Sequence, residues 1–294
     1  MNMINILRFI YKHPLNQENK FNAIMKFLKW QISSRLWKNP FIYNWIGSSR
    51  LVISRGMTGA TGNMYVGLME YEDMSFLLHY LQKDNLFYDI GANVGVYTVL
   101  ASQVKGSKTV AIEPLPLTYE KLLDNININR LTNVISKNIG LSFEQSKLYF
   151  TTNKDTMNSV ALESDDETQE VMVDTMDNLS HEYGIPNAIK IDVEGYESNV
   201  LNGAKNVLRD DGLEVIILEL NGSGQKFGFS DDDIHNDLLE IGFSPYSYNP
   251  FARNLTLLES YGSYNTIYIK KQHLEKIETI VKNSEKFSCN GMNI

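Results

Sequence analysis

Lys190, Asp192 and Glu194, on alternate positions, form the densest reactive constellation in the chain. With the period of two of a strand they project to one side, and Ile191 and Val193 to the other. Carboxylates beside a cation can supply a general base and its tuning partner, so Asp192 and Glu194 are the candidate bases and Lys190 the orienting or electrostatic partner. A structural assignment competes with this one. Glu194 would then cap the following helix through amides near Gly195 and Tyr196, and Lys190 would only neutralise Asp192. Carboxylates at a strand end also hold Mg²⁺ in some proteins, but His13, His79, His181, His235 and His273 are scattered along the chain, and no metal is expected.

A second group lies upstream in Asp89-Ile90-Gly91-Ala92-Asn93-Val94-Gly95, where an apolar strand turns into a helix. Gly91 and Gly95 let the backbone run close beneath a ligand and let the helix pack tightly on the strand. Asp89 could accept from loop amides or reach an amino group of the ligand. Glu113 follows the next strand, 18 positions beyond Gly95, where an acid can take both hydroxyls of a ribose. Dinucleotide-binding oxidoreductases share that acid, but their G-x-G-x-x-G loop admits a pyrophosphate, which the carboxylate of Asp89 would repel here. A sulfonium nucleoside has no phosphate and carries an amino group, so S-adenosylmethionine is the expected cofactor. The rivals are a nicotinamide-dependent oxidoreductase and a non-catalytic scaffold that keeps the fold.

These residues need a parallel sheet to bring them together. Residues 86–90, 109–112, 134–138, 188–193 and 215–220 read as strands, alternating with helices over 97–104, 117–129 and 198–208. That alternation predicts helices on both faces of the sheet. A helix over 231–241 precedes strands at 244–248 and 266–269, best placed antiparallel as a terminal hairpin at one edge. The expected architecture is thus α/β, a seven-stranded, mostly parallel, Rossmann-like sheet. Residues 70–81 have helical period, with Glu70 and Glu72 at the start, where acids favour the helix dipole; Tyr65, Glu70 and Glu72 folding over the site is the less favoured reading. Residues 55–67 read as short strands or loop. The stretch 152–170, with Met157, Asn158 and Ser159, is a candidate wall of the acceptor pocket.

Upstream of these, 3–12 and 21–38 read as amphipathic helices. Phe21, Ile24, Met25, Leu28, Ile32 and Leu36 form one apolar stripe, expected to pack on the domain and leave the lysines solvated. Docking of these helices on an anionic glycan carrier, a membrane surface or a partner subunit, including a homo-oligomer, is the less favoured reading. The divisions are an N-terminal helical extension over 1–65, a cofactor-binding domain over 66–271 and a C-terminal helix and tail over 272–294.

Charge is unevenly spread. The net charge is -8, yet residues 1–45 carry seven Lys/Arg against Glu18 alone, or +6, which leaves the remainder at -14. So acidic a body disfavours nucleic acid, which needs a basic face, and none is expected as a partner. A single cysteine, Cys289, builds no disulfide framework. Neither a secretory h-region nor a window of about 20 apolar residues is found, so a cytoplasmic protein that does not span the membrane is expected.

Four strings taken together resemble one family, the FkbM-type methyltransferases: FYDIGANVGVYT at 87–98, AIEPLPLTYEKLLDNININ at 111–129, NAIKIDVEGYESNVLNGAKNVL at 187–208 and VIILELNG at 215–222. The resemblance covers roughly residues 70–270. It implies a class I methyltransferase fold and O-methylation of a small-molecule or glycan acceptor, such as a sugar or glycan precursor. It further implies that Asp89, Gly91, Ala92, Asn93 and Gly95 line the methionine end of the cofactor, that Glu113 holds the ribose and that Asn138 lies near the adenine. Asn221 departs from relatives that carry histidine after the acid of the fifth strand, which weakens any assignment of a base there.

Overall fold

The computed structural model describes residues 3–37, 39–152, 158–161 and 167–294. Its centre is a parallel sheet of β3 (Leu86–Ile90), β4 (Lys108–Ile112), β5 (Val134–Lys137), β9 (Ala188–Ile191) and β10 (Val215–Glu219). The last two strands are nearly continuous Ala/Val/Ile/Leu and buried on both faces, as a doubly covered sheet requires. Both carboxyl ends carry the polar residues of interest, so topology alone gathers Asp89, Lys190 and Glu219 at one rim.

Beyond β10 the sheet turns antiparallel. β13 (Asn265–Lys270) lies between β10 and β11 (Phe243–Asn249) and runs against both. The expected terminal hairpin is therefore present with its later strand inward. A short edge strand, β12 (Asn254–Leu257), makes the sheet eight-stranded rather than seven-stranded, in the order β12-β11-β13-β10-β9-β3-β4-β5.

One face is covered by α7 (Met176–Tyr183), α8 (Glu197–Asn202), α9 (Lys205–Arg209) and α10 (Asp231–Glu240), packed on Tyr88, Ile189, Ile216 and Tyr268. The other face holds α3 (Thr58–Val66), α4 (Tyr71–Tyr80) and α11 (Leu274–Asn283) against Phe87, Val215, Ile217 and Ile267. Ile10, Leu15 and Phe27 belong to that same core, so the apolar packing runs unbroken across residues 65 and 271. Among the described residues no helix is long and apolar enough to cross a membrane.

Several elements differ from the expectation. Residues 58–66 form a helix although the run is Thr-Gly-Ala-Thr-Gly-Asn, and they do so because Ala60 to Val66 are all buried. The Asn63 side chain also braces the turn, donating to Gly59 O at 2.7 Å and accepting from Met69 N at 2.8 Å. Before it, β1 (Phe41–Asn44) and β2 (Arg50–Ile53) form a hairpin. Between β5 and β9 stands a three-stranded sheet of β6 (Gly140–Leu141), β7 (Ser146–Thr151) and β8 (Thr168–Asp174). The helix expected over 97–104 is present, but only α5 (Val96–Val99) is α-helical, and Leu100–Val104 continue it as a π-helix. Finally, α1 (Met3–Lys12) and α2 (Lys20–Leu36) form as expected, but α2 buries Ala23, Phe27 and Ser34; of the expected stripe Ile24 packs against the core, whereas Phe21, Leu28, Ile32 and Leu36 are exposed.

Candidate active site

The loop after β3 is held shut by its neighbours. The N–H groups of Gly91 and Ala92 both donate to Ile112 O, at 3.0 and 2.9 Å. Gly91 sits at φ +74°, and a Cβ there would stand 1.9 Å from the carbonyl oxygen of Asp192. Only glycine lets this loop touch the end of β9. Gly95, at φ +83°, opens α5 and receives the side chain of Leu122 from α6 (Pro116–Asn129), 2.4 Å from where a Cβ would be. Inside the turn, Asn93 donates its N–H to Glu113 Oε2 at 2.9 Å, and Leu115 donates to Oε1 at 3.1 Å. The buried Oδ1 of Asn93 has no partner.

Asp89 is held from α5: Thr98 Oγ1 donates to its Oδ2 at 2.5 Å, and the Thr98 backbone N–H donates to the same carboxylate. Asn138 is also occupied, its Nδ2 holding the carbonyls of Glu113 and Pro114 at 2.9 Å each. Its amide thus braces the acid-bearing turn. Asn221 makes a local bond to Ser223 N at 2.9 Å.

Two clefts meet across this loop. The first, about 740 Å³ and open to solvent, is lined by Glu113 and by the apolar side chains of Leu115, Leu141, Phe150 and Val160. The second, about 840 Å³, is acidic and includes Glu70, Asp89, Tyr97, Lys190 and Glu219. Gly91, Asn93, Asp192 and Glu194 line both. Lys190 lines the second cleft and Asp192 and Glu194 line both, but β9 ends at Ile191, so the strand alternation expected through Val193 does not carry on to Glu194. Asn158 reaches the first cleft, and Ser159 receives Lys226 Nζ at 2.9 Å. Met157 lies outside the described residues.

Lys190 is buried, with Nζ 2.9 Å from Asp192 Oδ2 and 5.1 Å from the Tyr97 ring centre. Burial opposes its charge, but Asp192 and Glu70 outweigh it and hold the ammonium above its ordinary pKa. Asp192 remains 31% exposed toward the clefts. Burial would raise its carboxyl, yet Lys190 and a hydrogen bond from Glu219 keep it below the usual range. Glu219 stands next to it across the β9–β10 register, and burial and the Asp192 charge raise its carboxyl. The two carboxyls are thus driven apart, Asp192 toward its ionised form and Glu219 toward its protonated form. Glu194, in left-handed backbone at φ +54°, is pushed up to about 7 by burial and by the charges of Asp192 and Glu197. Capping of the following turn falls to Glu197, whose Oε1 accepts from Val193 N at 3.2 Å and Gly195 N at 3.1 Å. Glu194 is thereby free of the capping duty that the structural assignment gave it.

Glu219 is the acid that sequence reasoning passed over, although it had a signal, a lone acid ending an apolar strand. Glu70 was placed at a helix start as a dipole partner, with folding over the site the less favoured reading, and it lines the second cleft. It stands at the N-cap of α4 without a side-chain cap bond; instead it accepts from the Tyr97 hydroxyl at 2.5 Å and from Asn265 Nδ2 at 2.9 Å. Tyr65 is buried against Phe27.

So many buried acids carry a pH signature. Burial raises Asp89 to about 6 and both Asp73 and Glu113 to about 7. The native protein then holds more protons than the unfolded chain between their ordinary values near 4 and about 7, so stability falls as pH rises through that window. Asp192, lowered, has the opposite sign. Urea unfolding of the unliganded protein should show a higher midpoint at pH 5 than at pH 7.5, and equal midpoints would contradict these shifts.

Comparison with known proteins gives a consistent picture. Residues 89–245 match the methyltransferase FkbM domain. Hexuronic acid methyltransferase AglP of Haloferax volcanii is 29% identical over 154 residues, which cover 52% of this chain and 62% of that protein. Methyltransferase 1 of Beauveria bassiana is 27% identical over 170 residues, covering 49% and 68%. The match thus spans less than two thirds of the length of the Haloferax relative and just over two thirds of the Beauveria one. A precorrin-6y C5,15-methyltransferase from Geobacter metallireducens superposes with a TM-score of 0.39 at 14% identity, over 69% of this chain and 88% of that one, too loosely to carry weight.

Proposed function

The chain belongs to the FkbM methyltransferase family, and we propose that it moves the methyl group of S-adenosylmethionine onto a hydroxyl of a sugar, glycan precursor or related metabolite. The observation that carries this reading is the junction of the two clefts: an apolar cleft with an acid at its rim meets an acidic one at Asp192 and Glu194. A nucleoside bearing a cationic centre suits that pair. The residues present fit it, because the unpartnered Oδ1 of Asn93 offers an acceptor where the two clefts meet.

S-adenosylmethionine, when bound, supplies an already activated methyl group. The chain's own residues then have to bind, orient and take a proton. Glu113 spends one lone pair of each oxygen on loop amides and keeps the others for ribose hydroxyls. Leu115, Phe150 and Val160 offer apolar cover for an adenine, and Asn138 fixes the turn that presents Glu113. Asp89, with Lys190 beneath the loop, sets the field at the amino-acid end. Glu194 is the better-matched base: its pKa of about 7 suits proton removal near neutrality, whereas Asp192 is held ionised by Lys190. Asp192 then orients the acceptor. The named acceptor of the Haloferax relative, a hexuronic acid, supports a sugar substrate.

The test is transfer of labelled methyl from S-adenosylmethionine to a panel of nucleotide sugars and glycans, with and without chelator, beside calorimetry with S-adenosylhomocysteine and NAD. Methyl transfer to a sugar hydroxyl supports the reading; binding of NAD alone overturns it. Glu113→Ala should weaken S-adenosylhomocysteine binding by about 1–3 kcal/mol through loss of the ribose bonds. Unchanged affinity in calorimetry would remove Glu113 from the ribose.

A further inference from the structure

Helix α2 turns all of its apolar stripe but Ile24 away from the core. Phe21, Leu28, Ile32 and Leu36 are 75%, 40%, 63% and 80% exposed. At 100° per residue they share one side of the helix with Met25, nearly opposite Ala23, Phe27 and Ser34, through which the helix rests on the core. Exposed Arg35 and Lys29 flank the stripe on either side. Just beyond, Trp37, Phe41 and Ile42 are also exposed, and the rings of Trp30 and Phe41, 5.3 Å apart, tie β1 to the helix. Helix α1 adds exposed Met3, Ile4 and Tyr11 beside Arg8 and Lys12, with Lys20 Nζ 4.5 Å over the Tyr11 ring.

So many large apolar side chains on one segment mark an interaction surface and not the scattered exposure of an ordinary one. The occupant has to be apolar at depth and anionic at its boundary, since residues 1–45 carry seven cations and one acid. A second copy docked through the same face would set exposed Arg8, Lys12, Lys29 and Arg35 against their own copies, which like-charge repulsion opposes. A bilayer with anionic headgroups meets both demands. Phe, Leu, Ile and Trp enter the headgroup–acyl boundary, and Lys and Arg remain among the phosphates.

We propose that the outward face of α1, α2 and β1 is a docking site for an anionic phospholipid membrane surface, on which α2 lies in the plane without spanning it. This surface lies apart from the two clefts, and the proposal does not depend on the reaction assigned to them.

The test is co-sedimentation of the whole chain with vesicles of phosphatidylcholine alone and of phosphatidylcholine mixed with phosphatidylglycerol. Binding to the mixed vesicles should exceed that to phosphatidylcholine by at least about tenfold and fall as salt is raised. The pair Ile32→Glu with Leu36→Glu, and separately Lys29→Glu with Arg35→Glu, should each abolish it without changing thermal melting. The vesicle and salt arms on the unaltered chain decide the matter even where a variant fails to fold. No binding to the mixed vesicles at low salt overturns the proposal, as does binding indifferent to headgroup charge. Light scattering that shows a dimer lost on Ile32→Glu would place a second copy on the face and overturn it as well.

Discussion

Glu194→Gln is expected to lower kcat by about 10²–10⁴-fold, the usual worth of a positioned general base. Glutamine keeps the size and the left-handed backbone preference nearly unchanged, so the loss isolates the proton acceptor from the packing. In the unaltered protein, kcat should climb as pH rises through about 7, where burial and the Asp192 charge place the Glu194 carboxyl. The variant should lose that limb of the profile. S-adenosylhomocysteine affinity should change far less than kcat, because Glu113 and the Gly91 loop remain intact. A variant that turns over like the parent from pH 6 to 9 would remove Glu194 from the chemistry and leave the hydroxyl proton to solvent or to Asp192.

Lys190→Met carries the largest expected effect on stability. The ammonium lies among Asp89, Asp192, Glu70 and Glu219, and among the described residues it is the only cation lining the second cleft. Methionine fills the stem's volume but strands these carboxyls in a buried site, and removing one partner of such a pair costs about 3–5 kcal/mol. The loss should depend on pH in a defined direction. Without the cation, the acids titrate higher in the folded state, the native protein binds more protons than the unfolded chain, and stability falls more steeply as pH rises. Urea melts of parent and variant should therefore diverge at pH 8 and approach each other at pH 5.5. A deficit equal at both would mean that the lysine contributes by packing alone.

How much of this was legible in the sequence depends on whether a residue's role is local. The parallel strands were, because β9 and β10 are apolar runs ended by charged residues, a pattern that buried parallel strands impose. Gly91, Asn93 and Gly95 were, because a strand-to-helix turn at a ligand needs their backbone angles. The helix over 58–66 was not, since nothing in its propensity favours it and tertiary burial alone holds it. Periodicity revealed the stripe of α2 without saying which way it faces; an apolar stripe and a buried face are different things when the helix rests on Ala23, Phe27 and Ser34. Glu70 joined the site through Tyr97 and Asn265, partners 27 and 195 positions away, and no local pattern encodes such a meeting. Reassigning the capping role from Glu194 to Glu197 likewise required the loop's actual path, because both acids stand within reach of the same amides in sequence.

β13 has a consequence for the life of the chain before the protein is whole. It is the last strand of the main sheet to leave the ribosome, yet its place is an interior one, between β10 and β11. Until Asn265–Lys270 arrives, both flanking strands expose hydrogen-bonding edges to the cytosol of whatever cell makes them, and such edges recruit other nascent chains. Asn265 is also the residue that ties Glu70 and Asp73 from the opposite end of the domain. Protection against aggregation and completion of the acidic cleft are therefore delivered by the same late segment, and a ribosome that stalls before it releases a nascent chain lacking both.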